Sequence, residues 1–115
     1  MMARIRLGAV SFLNARPLVD GLERSTRFAV EFDVPSRCAA RLHAGEVDLG
    51  LIPSIEYLRD PSYRAVPGLA IASRGPVASV AVFTKRPMDD VEIVALDTNS
   101  RTSVALTKVL GQRVF

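Results

Sequence analysis

The sequence predicts an α/β fold with a mainly parallel sheet. Three observations carry that expectation. Apolar runs of strand length recur along the chain. Between several of them lie segments whose apolar residues have helical spacing. Polar turns rich in Ser, Thr, Asn and Pro separate the two kinds of segment. The chain has 115 residues, which suits one small domain. Hydrophobic residues make up 49% and charged residues 23%, so a folded core is expected and disorder is not. No internal repeat or low-complexity tract is present.

Arg4 to Val10 alternates charged and apolar residues, then becomes fully apolar, and reads as the first strand. Ser11 to Arg16 is the turn after it. Pro17 fits the first turn of a helix, Leu18, Val19 and Leu22 give that helix an apolar face, and Gly21 lies near its end. Phe28 to Phe32 is the second strand. Asp33 to Ser36 leads into a helix from Arg37 to Ala44, closed by Gly45. Val47 to Ile52 is the third strand, and Pro53 and Ser54 open a short helix from Ile55 to Leu58. Two more strands are expected at Leu69 to Ala72 and Val77 to Phe83, split by Ser73-Arg74-Gly75-Pro76. Lys85 to Asp90 is polar, contains Pro87, and reads as a linker. Val91 to Leu96 is a last strand, and Val104 to Leu110 a last helix.

In a parallel α/β sheet, ligands bind outside the carboxyl ends of the strands. Three polar turns fall there: Ser11 to Arg16, Pro53 to Glu56, and Thr98 to Ser103. One crevice with walls from both sides of the linker is therefore expected. The third turn is the richest, with hydroxyls at Thr98, Ser100, Thr102 and Ser103 and a guanidinium at Arg101. Amides at a helix start lack intrahelical acceptors and carry the positive end of the helix dipole, which suits an anion. Capping alone is the competing reading, although one hydroxyl would suffice for that.

Several chemistries are excluded. No zinc-protease, paired-cysteine or acidic metal-ligand spacing occurs, and there is no Walker loop or dinucleotide fingerprint. The lone Cys38 excludes an intrachain disulfide and reads as core packing within its helix. His43 is the sole histidine and reads as a helix-surface side chain, so a Ser-His-Asp hydrolase is not expected. Glu56, between Ile55 and Tyr57, reads as solvent-facing or as a first-turn carboxylate rather than a catalytic one. The net charge of +3 comes from 15 basic and 12 acidic residues spread along the chain. That distribution fits a small anionic ligand, not nucleic acid. No long apolar segment marks a signal peptide or membrane span, so a cytoplasmic protein with no membrane partner is expected.

Four segments carry a family resemblance. They are Gly8-Ala9-Val10-Ser11-Phe12-Leu13-Asn14-Ala15-Arg16-Pro17-Leu18, Gly45 to Leu58, Gly75-Pro76-Val77-Ala78-Ser79-Val80, and Asp97-Thr98-Asn99-Ser100-Arg101-Thr102-Ser103-Val104-Ala105-Leu106. In that order they resemble the motifs of the chorismate dehydratases of menaquinone biosynthesis. The resemblance implies a type 2 periplasmic-binding-protein-like fold, truncated here to the first lobe plus the beginning of the second. Residues 1–86 would form the incomplete first lobe, and 87–115 the linker and the start of the second. The implied reaction removes water from chorismate to give 3-[(1-carboxyvinyl)oxy]benzoate, the entry step of the futalosine route, with no metal or organic cofactor.

By motif position the resemblance assigns Asn14 and Ser79 as catalytic residues, both touching the substrate. Ser100, Thr102 and Ser103 would receive a substrate carboxylate, and Ser11 is a further first-turn contact. Arg101 either pairs with the same carboxylate or faces solvent. With most of a second lobe absent, this chain alone is expected to have little or no dehydratase activity. Apolar surface on the last helix would then pack on the first lobe, on another copy of the chain, or not at all. The competing functions are a non-catalytic binding module for a small carboxylate and the naphthoate synthase of the same pathway.

Overall fold

A computed structural model describes residues 3–113. Its centre is β1, Ile5–Val10. Leu7 to Val10 are buried without interruption, as expected for a parallel strand covered on both faces. β2, Phe28–Asp33, pairs with it in parallel from Ile5 opposite Phe28 to Val10 opposite Asp33. β3, Leu49–Gly50, pairs in parallel on the other side, so the order is β2-β1-β3. The sheet is therefore all parallel, and the α/β class is the observed one.

α1, Arg16–Val19, is short, with a 3-10 turn before it at Leu13–Ala15 and another after it at Leu22–Arg24. Pro17 lies in its first turn as expected. Val19 packs with Leu7 and Ala9, and Leu18 and Leu22 join that cluster. α2, Pro35–His43, supplies the second cluster, in which Cys38 meets Val10 and Ala15. The Cys38 thiol is fully buried, donates to the Ala9 carbonyl at 3.4 Å, and is pushed up in pKa by burial. Its expected role in the core is the observed one.

α2 ends in a Schellman turn. The Gly45 amide donates to the Leu42 carbonyl and the Glu46 amide to that of Arg41. Gly45 has φ +74, the left-handed region where a Cβ would be strained. The turn delivers Asp48 to Arg6. Their side chains meet at 2.8 and 3.1 Å, and Asp48 Oδ2 also accepts the Arg6 amide at 2.9 Å. These bonds hold the Asp48 carboxyl down at about 2.

The third strand is shorter than the expected Val47 to Ile52. Hydrogen bonds from the Asp48 amide to Arg6 and from the Leu51 amide to Gly8 flank it without lengthening the ladder. α3, Ser54–Tyr57, follows directly, one residue ahead of the expected Ile55 to Leu58. The next three expected strands, at Leu69 to Ala72, Val77 to Phe83 and Val91 to Leu96, are absent from the ladders of the described residues. Their residues are exposed, apart from the half-buried Val91. A strand is completed only by another strand about 4.8 Å away, and none pairs with them here. α4, Arg101–Arg113, is longer than the expected Val104 to Leu110, because a helix closes its own hydrogen bonds. The expected linker contains a 3-10 turn at Met88–Asp90. Met1, Met2, Val114 and Phe115, the ends of the two expected lobes, lie outside the described residues.

The exposed stretch sets the overall dimensions. The radius of gyration is 16.9 Å, against about 13 Å for a compact chain of this length. The accessible surface is 9310 Å², against roughly 6200 Å² for a compact protein of this mass.

Candidate functional site

The chain leaves β1 toward β2 on one side and reaches β3 on the other, so the direction of winding reverses between β1 and β3. Strand ends at such a reversal leave a crevice between their turns. Two of the expected polar turns occupy it. Ser11 to Arg16 follows β1, and Pro53 to Glu56, a few residues beyond β3, caps and opens α3.

Asn14 lies in the 3-10 turn Leu13–Ala15 and is exposed. It does not cap α1, because the N-cap of that helix is Ala15 and no side chain bonds there. Among the described residues no hydrogen bond occupies its amide group. Ser11 is exposed beside it, with its backbone amide donating to the Asp33 carbonyl at 3.4 Å.

The third turn is reached by a different route. The Asn99 amide donates to Asp97 Oδ1 at 3.0 Å, which starts the turn, and Ser100 follows with its amide on the Asp97 carbonyl. The Ser100 hydroxyl donates to Ser103 Oγ at 2.8 Å, and among the described residues it accepts from no backbone amide. Among the described residues, the amides of Arg101, Thr102 and Ser103 therefore have no acceptor. Simple capping does not account for the hydroxyl cluster. Thr102 Oγ1 accepts the Ile55 amide at 3.4 Å, which leaves its own O–H able to donate elsewhere.

Arg101 does not face solvent alone. Its Nη1 lies 3.0 Å from Glu56 Oε1, while Arg59 Nε lies 3.6 Å from Glu56 Oε2. Glu56 is 5% exposed and is the one buried charged residue among those described. The solvent-facing reading of Glu56 is thus corrected, and its first-turn position in α3 stands. A carboxylate so far from water needs a cation beside it, and Arg101 and Arg59 supply two. No local pattern announces this pair, because its members are 45 residues apart.

Ser79 is exposed on the extended segment. With Ser100 and Ser103 it lines an open groove of about 1020 Å³ whose walls include Val82, Leu96 and Val104. Ser11, Asn14, Arg101 and Thr102 do not line that groove. The structure therefore distributes the expected residues over three neighbourhoods. Ser79, Ser100 and Ser103 share the groove, and Arg101 and Thr102 sit against α3. Ser11 and Asn14 remain at the end of β1.

His43 lies on the surface at the end of α2, 3.4 Å from the Tyr63 hydroxyl, as its surface reading requires. Among the described residues no group of His, Cys, Asp and Glu side chains is placed to hold a metal. No helix among them is long and apolar enough to cross a membrane.

The residues that build these turns also place the chain among known proteins. The sequence model of a family described as menaquinone biosynthesis matches residues 5–115. The chain belongs to that family. A chorismate dehydratase from Thermus thermophilus is 39% identical over 105 residues, which is 90% of this chain and 38% of the relative. The chain thus spans well under half the length of the curated relative it matches. No solved structure matches it.

Proposed function

We propose that the chain forms part of a chorismate dehydratase that converts chorismate to 3-[(1-carboxyvinyl)oxy]benzoate and water. The observation that carries the reading is the 39% identity to the Thermus thermophilus chorismate dehydratase across 90% of this chain. The same similarity favours the dehydratase over the naphthoate synthase of the pathway. The β2-β1-β3 sheet would be the core of the first lobe of a type 2 periplasmic-binding-protein-like fold. Residues 1–86 would form that lobe, and 87–115 the linker and the start of the second, in a cytoplasmic enzyme.

The chemistry suits the side chains available. Chorismate carries two carboxylates, and its ring becomes aromatic when the hydroxyl and a ring proton leave as water. The protein's task is to hold a dianion in a reactive geometry. Positioning of that kind lowers a barrier by up to roughly 7–11 kcal/mol in well-oriented systems. The open amides of residues 101 to 103 and the hydroxyls of Thr102 and Ser103 would receive one carboxylate. Asn14 would orient the ring from the end of β1, and Ser11 would assist it. Ser79 would hold a substrate oxygen. The substrate's own enolpyruvyl carboxylate would accept the ring proton, so no side-chain base is required.

The test is a titration of the ¹⁵N-labelled chain with chorismate. Amide shifts are expected at Asn14 and at 100 to 103. Product formation, followed by chromatography, is expected to be slow or absent, since a cleft needs two walls. Turnover at about 1 per second or faster would sink the two-wall argument. Absence of any shift at millimolar chorismate would sink the proposed site.

A further inference from the structure

Residues 64–96 carry no strand ladder, yet α4 beyond them is seated against α3. The intervening chain meets α4 only across an open groove. Among the described residues two side-chain hydrogen bonds join the helices. Glu56 holds Arg101 at 3.0 Å, and Thr102 accepts the Ile55 amide at 3.4 Å. Both contacts involve the first turn of α4, the turn with the open amides. Glu56 is also the buried member of the pair, since its side chain is 7% exposed and that of Arg101 32%.

We propose that Glu56 is a positioning residue that anchors Arg101, and with it the first turn of α4, onto the turn that follows β3. The proposal rests on the reading that this first turn receives a substrate carboxylate. Glu56 does not touch the substrate. It acts by fixing the guanidinium, which uses one of its five N–H groups on the carboxylate and keeps the others for an anion. The anchor also keeps Thr102 over Ile55, with the threonine O–H turned to donate. Arg59, just beyond α3, lies 3.6 Å from the other Glu56 carboxylate oxygen and leaves it with a second cation when Arg101 engages a ligand. Of the two readings left open by the sequence, pairing with the substrate carboxylate or facing solvent, this favours the first, with the ion pair to Glu56 added by the structure.

The experiment is amide hydrogen exchange on the 115-residue chain, read at residues 104 to 110 of α4 and, as an internal reference, at β1. Glu56→Ala is expected to speed exchange in α4 about tenfold or more relative to β1. Glu56→Gln, which keeps an acceptor for Arg101, is expected to restore part of the protection. Arg101→Ala leaves Glu56 paired with Arg59 and is expected to release α4 in the same way, so it covers the case in which Glu56→Ala does not fold. Unchanged α4 exchange in the folded variants, or equal acceleration in α4 and β1, overturns the anchor. Chorismate titration of the same samples separates the two readings. A tenfold weaker response at residues 100 to 103 in Glu56→Ala supports positioning, and an unchanged response overturns it. If the unsubstituted chain does not respond at all, the carboxylate reading fails and the exchange data alone decide the anchor.

Discussion

Residues 5–57 and residues 64–96 carry similar strand-length apolar runs, but only the first region turns them into a core. Leu7 is 2% exposed and Val19 1%, whereas Phe83 is 87% exposed and Ile93 88%. The difference is not one of propensity. Val77 to Phe83 is as rich in β-branched and aromatic residues as Phe28 to Phe32. It lies in partners. β2 and β3 flank β1 on its two edges, while α1 and α2 cover its two faces. The later runs have neither a ladder nor a helix above them, apart from the open groove that α4 makes with them.

That contrast is open to direct attack. Leu7→Ala should cost about 3 kcal/mol in urea unfolding, because it empties a site sealed by Val19, Phe28 and Leu49. A loss below about 1 kcal/mol would mean that the first region is no better packed than the second. Gly45→Ala comes next, at about 1 kcal/mol, because the new Cβ must enter the left-handed region at φ +74. An unchanged midpoint would show that the Schellman turn does not set the entry into β3. The effect of Asp48→Asn lies in pH dependence. Arg6 holds the Asp48 carboxyl at about 2, below its ordinary 3.8. Stability from this group is complete above the higher value and is lost as pH falls toward the lower. Asp48→Asn should flatten the acid side of the stability–pH profile while leaving the profile above pH ~5 parallel to that of the unsubstituted chain. A matching slope in both proteins would remove Arg6–Asp48 as a cause. The smallest effect belongs to the second region. Ile93→Ala should change stability by less than about 0.5 kcal/mol. A cost near that of Leu7→Ala would show that the extended segment is packed in solution.

Much of the first region was legible in the sequence. Pro17, Gly45 and the alternation of Arg4 to Val10 mark a helix start, a cap and a strand by local rules, and the structure follows them within a few residues. The polar turns were legible as well. Asn14 ends free of a capping bond, and Ser100 bonds Ser103 in place of the helix amides. The pairing of Arg101 with Glu56 was not legible. Neither residue carries a sign of the other, and the sequence left Arg101 undecided while placing Glu56 at the surface or in a first turn.

The sequence by itself determined the α/β class, the helix starts to within three residues and the set of polar turns. Those features rest on hydrogen bonds and steric limits within a few residues of one another. It also carried the motifs of the menaquinone biosynthesis family. Tertiary structure decided which apolar runs became strands, because a strand's hydrogen bonds belong to another segment. It also decided where the α4 turn sits. A buried carboxylate selects its cation by proximity in space, and Glu56 finds Arg101 there.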